Sequence, residues 1–313
     1  MNTTTTTIHI GIDVSKEHLD CDLHGKPLRL PNTTAGTSAL LRKLAAIHPD
    51  QAVQVNLEAT GCYTRPLVRA CLAASVPVAL INPRHIRSYA RAAGQLAKTD
   101  KIDARIITAY ARHFAPPCLG SEWLERDRLA QYHRRLEVLT KTRASRKTSM
   151  DHYADAWLRA EIKREIAALD RRIETLTEAI DSIIDNDAVL VAKRRLMEKA
   201  TGVGPATSRT LAVTFPELGT LNRKQAAALA GLAPMNRDSG AGRGKRCIQA
   251  GRAKPRKALY MAALTAAYRN PMFSPYFRQL RERGKPVKVA LTAVARKLLI
   301  HLNTELKSCH QIT

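Results

Sequence analysis

Two aspartates, Asp100 and Asp103, are three positions apart in a stretch that predicts a helix. Residues three apart lie on one face of a helix, with about 5–6 Å between their Cβ atoms, so both carboxylates can bind one hard cation. Asp13 and Glu58 each end an apolar alternation typical of a strand. Because an open α/β sheet places its chemistry at the carboxyl ends of its strands, these four acids predict a site for one or two Mg²⁺ ions.

Asp100 and Asp103 also have a purely structural interpretation, in which they bind no metal. Asp100 can cap the helix and Asp103 can interact with the positive end of the helix dipole, and two acids three apart are a weak pattern by themselves. Their coincidence with Asp13 and Glu58 favours the metal site. Asp20 and Asp22 are also acidic, but they belong to the second predicted strand, and we expect them to face solvent.

A second candidate site is the glycine-rich stretch 238–244, which contains Ser239 and lies in a basic tract, 237–257, with eight Lys or Arg and one acid. The spacing alone favours a flexible loop that binds phosphate. The chemical alternative is that Ser239 is a nucleophile, with guanidinium groups stabilising the attacking oxygen and a phosphoryl transition state. The basic residues predicted to contact nucleic acid are Arg237, Arg243, Lys245, Arg246, Arg252 and Lys254.

A glycine turn, Gly202-Val203-Gly204-Pro205, separates two predicted helices and resembles a helix-hairpin-helix. Such a turn, with the helix N-terminus that follows it, exposes amide N–H groups to a phosphate. We therefore predict that Gly202 and Gly204 contact nucleic acid. The turn is not a Walker A loop, because no Gly-Lys-Ser/Thr follows it.

The composition points to a polyanionic partner. The chain of 313 residues has 51 Lys and Arg against 27 Asp and Glu, a formal charge of +24. Such an excess is typical of nucleic-acid binding or of binding to an anionic membrane. The membrane is the weaker choice, because no apolar run approaches the ~18 residues of a spanning helix and the start lacks a signal peptide. We expect a cytoplasmic protein whose six scattered cysteines are reduced thiols.

The elements that must position these residues fall into three predicted domains. Over 1–115 the order β-β-β-α-β-α-β-α predicts a ribonuclease-H-like, RuvC-like α/β domain. Residues 116–199 predict a helical coiled-coil linker, and 200–313 a mainly helical C-terminal domain. The linker is predicted from a heptad seam and a shorter seam upstream, which indicate two long helices forming either an intramolecular hairpin or a dimerising arm. The seam residues are Ile162, Ile166, Leu169, Ile173, Leu176, Ile180 and Ile183, with Leu129, Tyr132, Leu136 and Leu139 upstream.

Several motifs together resemble those of the insertion-sequence-110 family of transposases, the bridge-RNA-guided DEDD recombinases. They extend over nearly the whole chain: G-I-D-V-S-K at 11–16, L-E-A-T-G at 57–61, K-T-D-K-I-D-A-R at 98–105, G-V-G-P at 202–205, G-L-A-P at 231–234, D-S-G at 238–240 and G-R-A-K-P-R-K-A-L-Y at 251–260. The resemblance implies a metal-binding tetrad of Asp13, Glu58, Asp100 and Asp103, and a catalytic Ser239. It also implies a RuvC-like nuclease domain, a helical linker, a C-terminal transposase domain and a non-coding guide RNA that pairs with target and donor DNA.

These observations predict an RNA-guided, site-specific DNA recombinase that uses Mg²⁺ and a phosphoserine link to double-stranded donor and target DNA. Two alternatives remain: a RuvC-like junction endonuclease that needs the acids but not Ser239, and a non-catalytic nucleic-acid-binding protein. We expect a homodimer that doubles to a tetramer on DNA. Each active site would combine the acids of one protomer with Ser239 of another.

Overall fold

A computed structural model describes residues 7–47, 52–59, 61–95, 100–235 and 247–310. The chain divides into two compact units, 1–125 and 126–313. The first is a sheet with helices and the second is mostly helical, so the predicted combination of an α/β region with a helical remainder is confirmed. The finer division into three domains stays a prediction.

The first unit is built on a five-stranded sheet with strand order β3-β2-β1-β4-β5. Strand β1 is antiparallel to β2 and parallel to β4, while β2–β3 is antiparallel and β4–β5 is parallel. The elements are β1 (Ile8–Val14), β2 (His18–Leu23), β3 (Lys26–Pro31), α1 (Thr34–Ile47), β4 (Val53–Glu58), α2 (Arg65–Ala73), β5 (Val78–Ile81), α3 (Pro83–Ala92) and α4 (Asp100–Phe114).

The two faces of this sheet differ in chemistry because side chains alternate along each strand. On one face Ile10, Ile12 and Leu57 pack in a core with Leu40 of α1 and Leu67 of α2. The opposite face carries the polar alternation of β1 and β4 and is covered by α4. The position of α4 therefore determines which side chains at the carboxyl ends of these strands are exposed to solvent.

Gly11 lets α4 approach the sheet closely. Its amide donates a hydrogen bond to Oγ1 of Thr108 at 2.9 Å. A Cβ at Gly11 would lie 2.3 Å from the carbonyl oxygen of Ala104 and 2.5 Å from the amide nitrogen of Thr108. Any side chain at Gly11 therefore pushes α4 away from β1.

We expect Gly11→Ala to lower the free energy of unfolding by about 1–3 kcal/mol, because the added methyl group overpacks a backbone contact. Chemical denaturation followed by circular dichroism measures this change. Gly204→Ala is the control, since a Cβ there would have no neighbour within 4 Å. Equal effects of the two substitutions would contradict the close approach.

The described residues of the second unit, with α5 counted in it, form eight α-helices, one short 3-10 helix (Met150–His152) and one short strand pair. Its core joins α10 and α12 through residues such as Leu259, Ala263, Val294 and Leu298. Helix α11 and the strand pair were not predicted. The elements are α5 (Trp123–Ser149), α6 (Ala156–Asp185), α7 (Ala188–Glu198), α8 (Pro205–Thr214), α9 (Arg223–Leu229), β6 (Pro234–Met235), β7 (Cys247–Ile248), α10 (Ala253–Arg269), α11 (Ser274–Glu282) and α12 (Val287–His310).

Helices α5 and α6 contact each other within the chain. Arg143 Nη1 lies 2.7 Å from Asp170 Oδ1, and Leu129, earlier on α5, packs in one cluster with Ile184, later on α6. The residue that is earlier on α5 contacts the residue that is later on α6, so the two helices are antiparallel. The described residues place α5 and α6 side by side in one chain, and the predicted coiled-coil seam between them stays a prediction. A dimerising role for the same helices stays a prediction.

The cysteines differ in how far they are buried. The five with described side chains are all free, and Cys21 and Cys71 are buried. Burial raises the pKa of both buried thiols to about 12, so they are inert near neutral pH. No helix in the described part of the chain combines the length and apolarity needed to cross a membrane.

Candidate active site

Asp13 and Glu58 lie at the carboxyl ends of two adjacent parallel strands. The register pairs Ile12 of β1 with Leu57 of β4, so Asp13 and Glu58 are the next positions along the two strands. Both are partly exposed. By alternation, Asp13 is on the same face as Gly11, which is the face covered by α4. The sheet therefore brings the two predicted strand acids to one edge.

Helix α4 brings its first turn to the same edge. Thr108 contacts Gly11, while Arg112, one turn later, is close enough to His9 to act on its pKa. Burial and, secondarily, the charge of Arg112 lower the pKa of His9. The helix thus runs antiparallel to β1, and the partly exposed Asp103 in its first turn lies toward the Asp13 end. We call Asp13, Glu58 and Asp103 the acid edge.

The metal site itself is not assembled in the described residues. No group of three or more His, Cys, Asp or Glu side chains there is arranged to hold a metal ion. Asp100 is the first residue of α4, and its side chain lies outside the described part of the structure. The donor set nevertheless suits Mg²⁺, which is bound by carboxylate oxygens with retained water. The tetrad with Asp100 therefore stays a prediction.

Asp20 and Asp22 are buried, so the expectation that they face solvent is wrong. Each is only 5% exposed. Helix α4 covers this part of β2, and Asp20 accepts hydrogen bonds from Arg29 Nε at 2.8 Å and Nη2 at 3.0 Å. Asp22 accepts one from the Gly25 amide at 2.9 Å. These donors replace the water that the carboxylates lose on burial.

Arg29 is a residue that the sequence reasoning missed. It lies opposite Asp20 in the β2–β3 register, and Asp20 lies opposite Asp13 in the β1–β2 register. A cavity of about 190 Å³ beside this ladder is lined by Asp20, Arg29 and, from α4, Arg105. Pairing the predicted second and third strands residue by residue would have placed Arg29 against Asp20.

The glycine-rich stretch lies outside the described residues. This applies to Ser239 and to four predicted nucleic-acid contacts, namely Arg237, Arg243, Lys245 and Arg246. The residues on either side of the stretch are paired, because Met235 of β6 lies opposite Cys247 of β7. Gly231 precedes β6 and Gly251 follows β7. A Cβ at Gly251 would lie 2.2 Å from the Gly231 amide nitrogen, so the backbones at these two positions can approach closely only because Gly251 has no side chain. The pairing brings both ends of the stretch together.

Arg252 and Lys254, predicted to contact nucleic acid, have carboxylate partners in the second unit. Arg252 donates from both terminal nitrogens to Glu217, at 2.7 and 2.6 Å. Burial raises the pKa of Glu217, but hydrogen bonds from Arg252 and from backbone outweigh burial and leave that pKa lowered. Lys254 pairs with Glu137. Both side chains therefore hold the N-terminus of α10, and their contact with nucleic acid stays a prediction.

The glycine turn lies between α7 and α8, as predicted. Gly202 has a φ of +107°, and a Cβ there would lie 2.8 Å from the Ala262 carbonyl oxygen, so packing against α10 already requires glycine. Gly204 precedes α8 and is exposed. The open side of the turn is therefore the N-terminus of α8, where the predicted phosphate contact would have to occur.

Comparison with known proteins shows two family matches. Residues 10–156 match a transposase family model of the DEDD and IS110 type, and residues 194–278 match the model of the transposase IS116/IS110/IS902 family. The chain is also similar to the pilin gene-inverting proteins of Moraxella lacunata and Moraxella bovis, each 26% identical over 309 residues and covering 93% of both chains. The first model includes the acid edge and the second includes Ser239.

Proposed function

This chain belongs to the IS110 family of transposases, and we propose that it is an RNA-guided, site-specific recombinase that cleaves and rejoins DNA strands of an insertion sequence. The observation that carries this proposal is the acid edge, where Asp13 and Glu58 end adjacent parallel strands. We assign the first unit a RuvC-like, ribonuclease-H-like fold from its strand order and its acids. The relatives named for gene inversion support strand exchange rather than cleavage alone.

In this mechanism Asp13, Glu58, Asp100 and Asp103 would hold the metal. When bound, Mg²⁺ supplies a Lewis acid that polarises the scissile phosphate. The Ser239 hydroxyl attacks phosphorus, a phosphoserine bond forms, and the bond to the deoxyribose oxygen breaks. The released strand end takes up the proton. A hydroxyl of the exchanged strand then attacks the phosphoserine and regenerates the serine, so the bond energy is conserved without a nucleotide cofactor.

The partners follow from charge and family. A chain of net charge +24 binds phosphates with strong salt dependence, which suits donor and target duplexes and a guide RNA. In RNA-guided systems base pairing, rather than side chains, reads the sequence. We propose a homodimer that doubles to a tetramer on DNA, because recombination acts on two duplexes. A second candidate, a metal nuclease that activates water, needs the same acids but not Ser239.

Removal of divalent metal tests the proposal. We expect chelation by EDTA to abolish cleavage of DNA containing the element ends and added Mg²⁺ to restore it, since the acids act only through a bound cation. DNA binding, measured in the same samples by gel shift, should persist because it depends on the basic side chains. Cleavage that continues in EDTA would reject the metal mechanism, and absence of cleavage with Mg²⁺ and guide RNA would favour a non-catalytic protein.

A further inference from the structure

Five rings cluster on one surface of the first unit. They belong to α3 and to the last turns of α4, and we call them the aromatic patch: His85, Tyr89, Tyr110, His113 and Phe114. The ring centroids of Tyr110 and His113 each lie 4.7 Å from that of Phe114. The Tyr89 centroid lies 6.1 Å from that of Phe114 in an edge-to-face arrangement. Phe114 therefore contacts rings from both helices.

Two rings of the aromatic patch are packed against the core, and the other three are exposed. Tyr89 and Tyr110 are half-buried and pack against the small core around Ile86 and Ile106. Phe114 is 55% exposed, and both histidines of the patch are exposed. Scattered apolar residues on a surface are ordinary, but a contiguous group of aromatic rings marks an interaction site.

The charges around the patch identify the kind of partner. Arg84, Arg87 and Arg91 follow one another at spacings of three and four on α3 and are exposed, as is Arg112 on α4. Neither α3 nor residues 104–114 contain an acid. Rings surrounded by arginines suit unpaired bases, which stack on the rings while their phosphates meet the guanidinium groups. Duplex DNA does not suit the rings, because its bases are already stacked on one another.

Helix α4 connects the patch to the acid edge. Asp103 is in its first turn, and Phe114 is eleven residues later, about 16 Å at 1.5 Å per residue. The patch therefore lies within the reach of the same DNA strand whose phosphate is bound at the acid edge. We propose that the aromatic patch stacks on unpaired bases of the DNA strand that is cleaved. This inference rests on the proposed function, because it places the cleaved strand at the acid edge.

Binding of two oligonucleotides separates stacking from charge. Oligodeoxythymidylate and an abasic DNA strand of equal length carry the same phosphates, and EDTA prevents cleavage during fluorescence-anisotropy titrations. We expect tighter binding of the thymidine strand by the wild type. Phe114→Leu should weaken that binding by about ten-fold, since it keeps an apolar side chain but removes a stacking ring, and should leave binding of the abasic strand unchanged.

The controls make the result specific. Tyr153→Leu removes another exposed ring, in the connection between α5 and α6, and should change neither affinity. Arg91→Gln should weaken binding of both strands and reduce its salt dependence. Thermal melts should show that Phe114→Leu is folded, since Phe114 is largely exposed.

Three outcomes would overturn the inference: equal wild-type affinity for the two strands, unchanged thymidine binding by Phe114→Leu, or tighter binding of an oligouridylate RNA than of the DNA. Failure of the proposed function is recognised separately, as wild-type protein that does not cleave DNA with Mg²⁺. Normal cleavage combined with ring-independent binding rejects the patch alone.

Discussion

Asp103→Asn is expected to abolish strand cleavage and to leave DNA binding intact. The amide keeps the shape of the carboxylate but removes one charge from a site whose affinity for a hard cation depends on charge count. Loss of an outer partner of a metal ligand typically costs 10–100-fold, so loss of a direct ligand should reduce cleavage by about 100-fold or more. A strand-cleavage assay over a range of Mg²⁺ concentrations measures the effect.

The competing explanation of Asp103 is favourable interaction with the α4 dipole, which contributes about 0.3–1 kcal/mol. Asp155→Asn is the matched control, because Asp155 accepts the Leu158 amide at 2.8 Å as the N-cap of α6. That variant should change thermal stability only slightly and leave cleavage unchanged. If Asp103→Asn behaves the same way, Asp103 has a structural role and the assignment of the metal site is wrong.

Ser239→Ala is expected to eliminate a covalent protein–DNA adduct. If Ser239 is the nucleophile, reactions stopped with denaturant contain protein joined to labelled DNA, visible as a slow band on a denaturing gel. Alanine has no hydroxyl, so the adduct should fall to background, while DNA binding remains near the wild-type level because no charge changes. Binding by gel shift and adduct formation are measured on the same preparation.

Ser308→Ala is the control for the serine. Ser308 is exposed on α12 and its hydroxyl donates only to the Thr304 carbonyl oxygen among the described residues, so the adduct should persist. An adduct that survives Ser239→Ala would mean that another group attacks the phosphate. Metal-dependent cleavage by the wild type without any adduct would instead favour the nuclease that activates water.

The sequence by itself determined the local elements and the candidate residues. Alternation of apolar residues predicted β1 and β4 together with the acids at their ends, Asp13 and Glu58, because side-chain alternation is a local property of a strand. The repeat from Ile162 to Ile183 predicted α6 for the same kind of reason. Each motif that resembles the transposase family is a contiguous stretch of sequence, and the family matches confirm the resemblance.

Only the tertiary structure decided which faces are covered and which charges are paired. Asp20 was expected in solvent, yet α4, a helix far along the chain, covers its face and leaves it only 5% exposed. Arg252 lies in a basic tract, but Glu217, which is distant in sequence, binds it. The aromatic patch likewise forms only when α3 and α4 pack together. Each of these features depends on how separate elements pack against one another, which the periodicity within a single element does not encode.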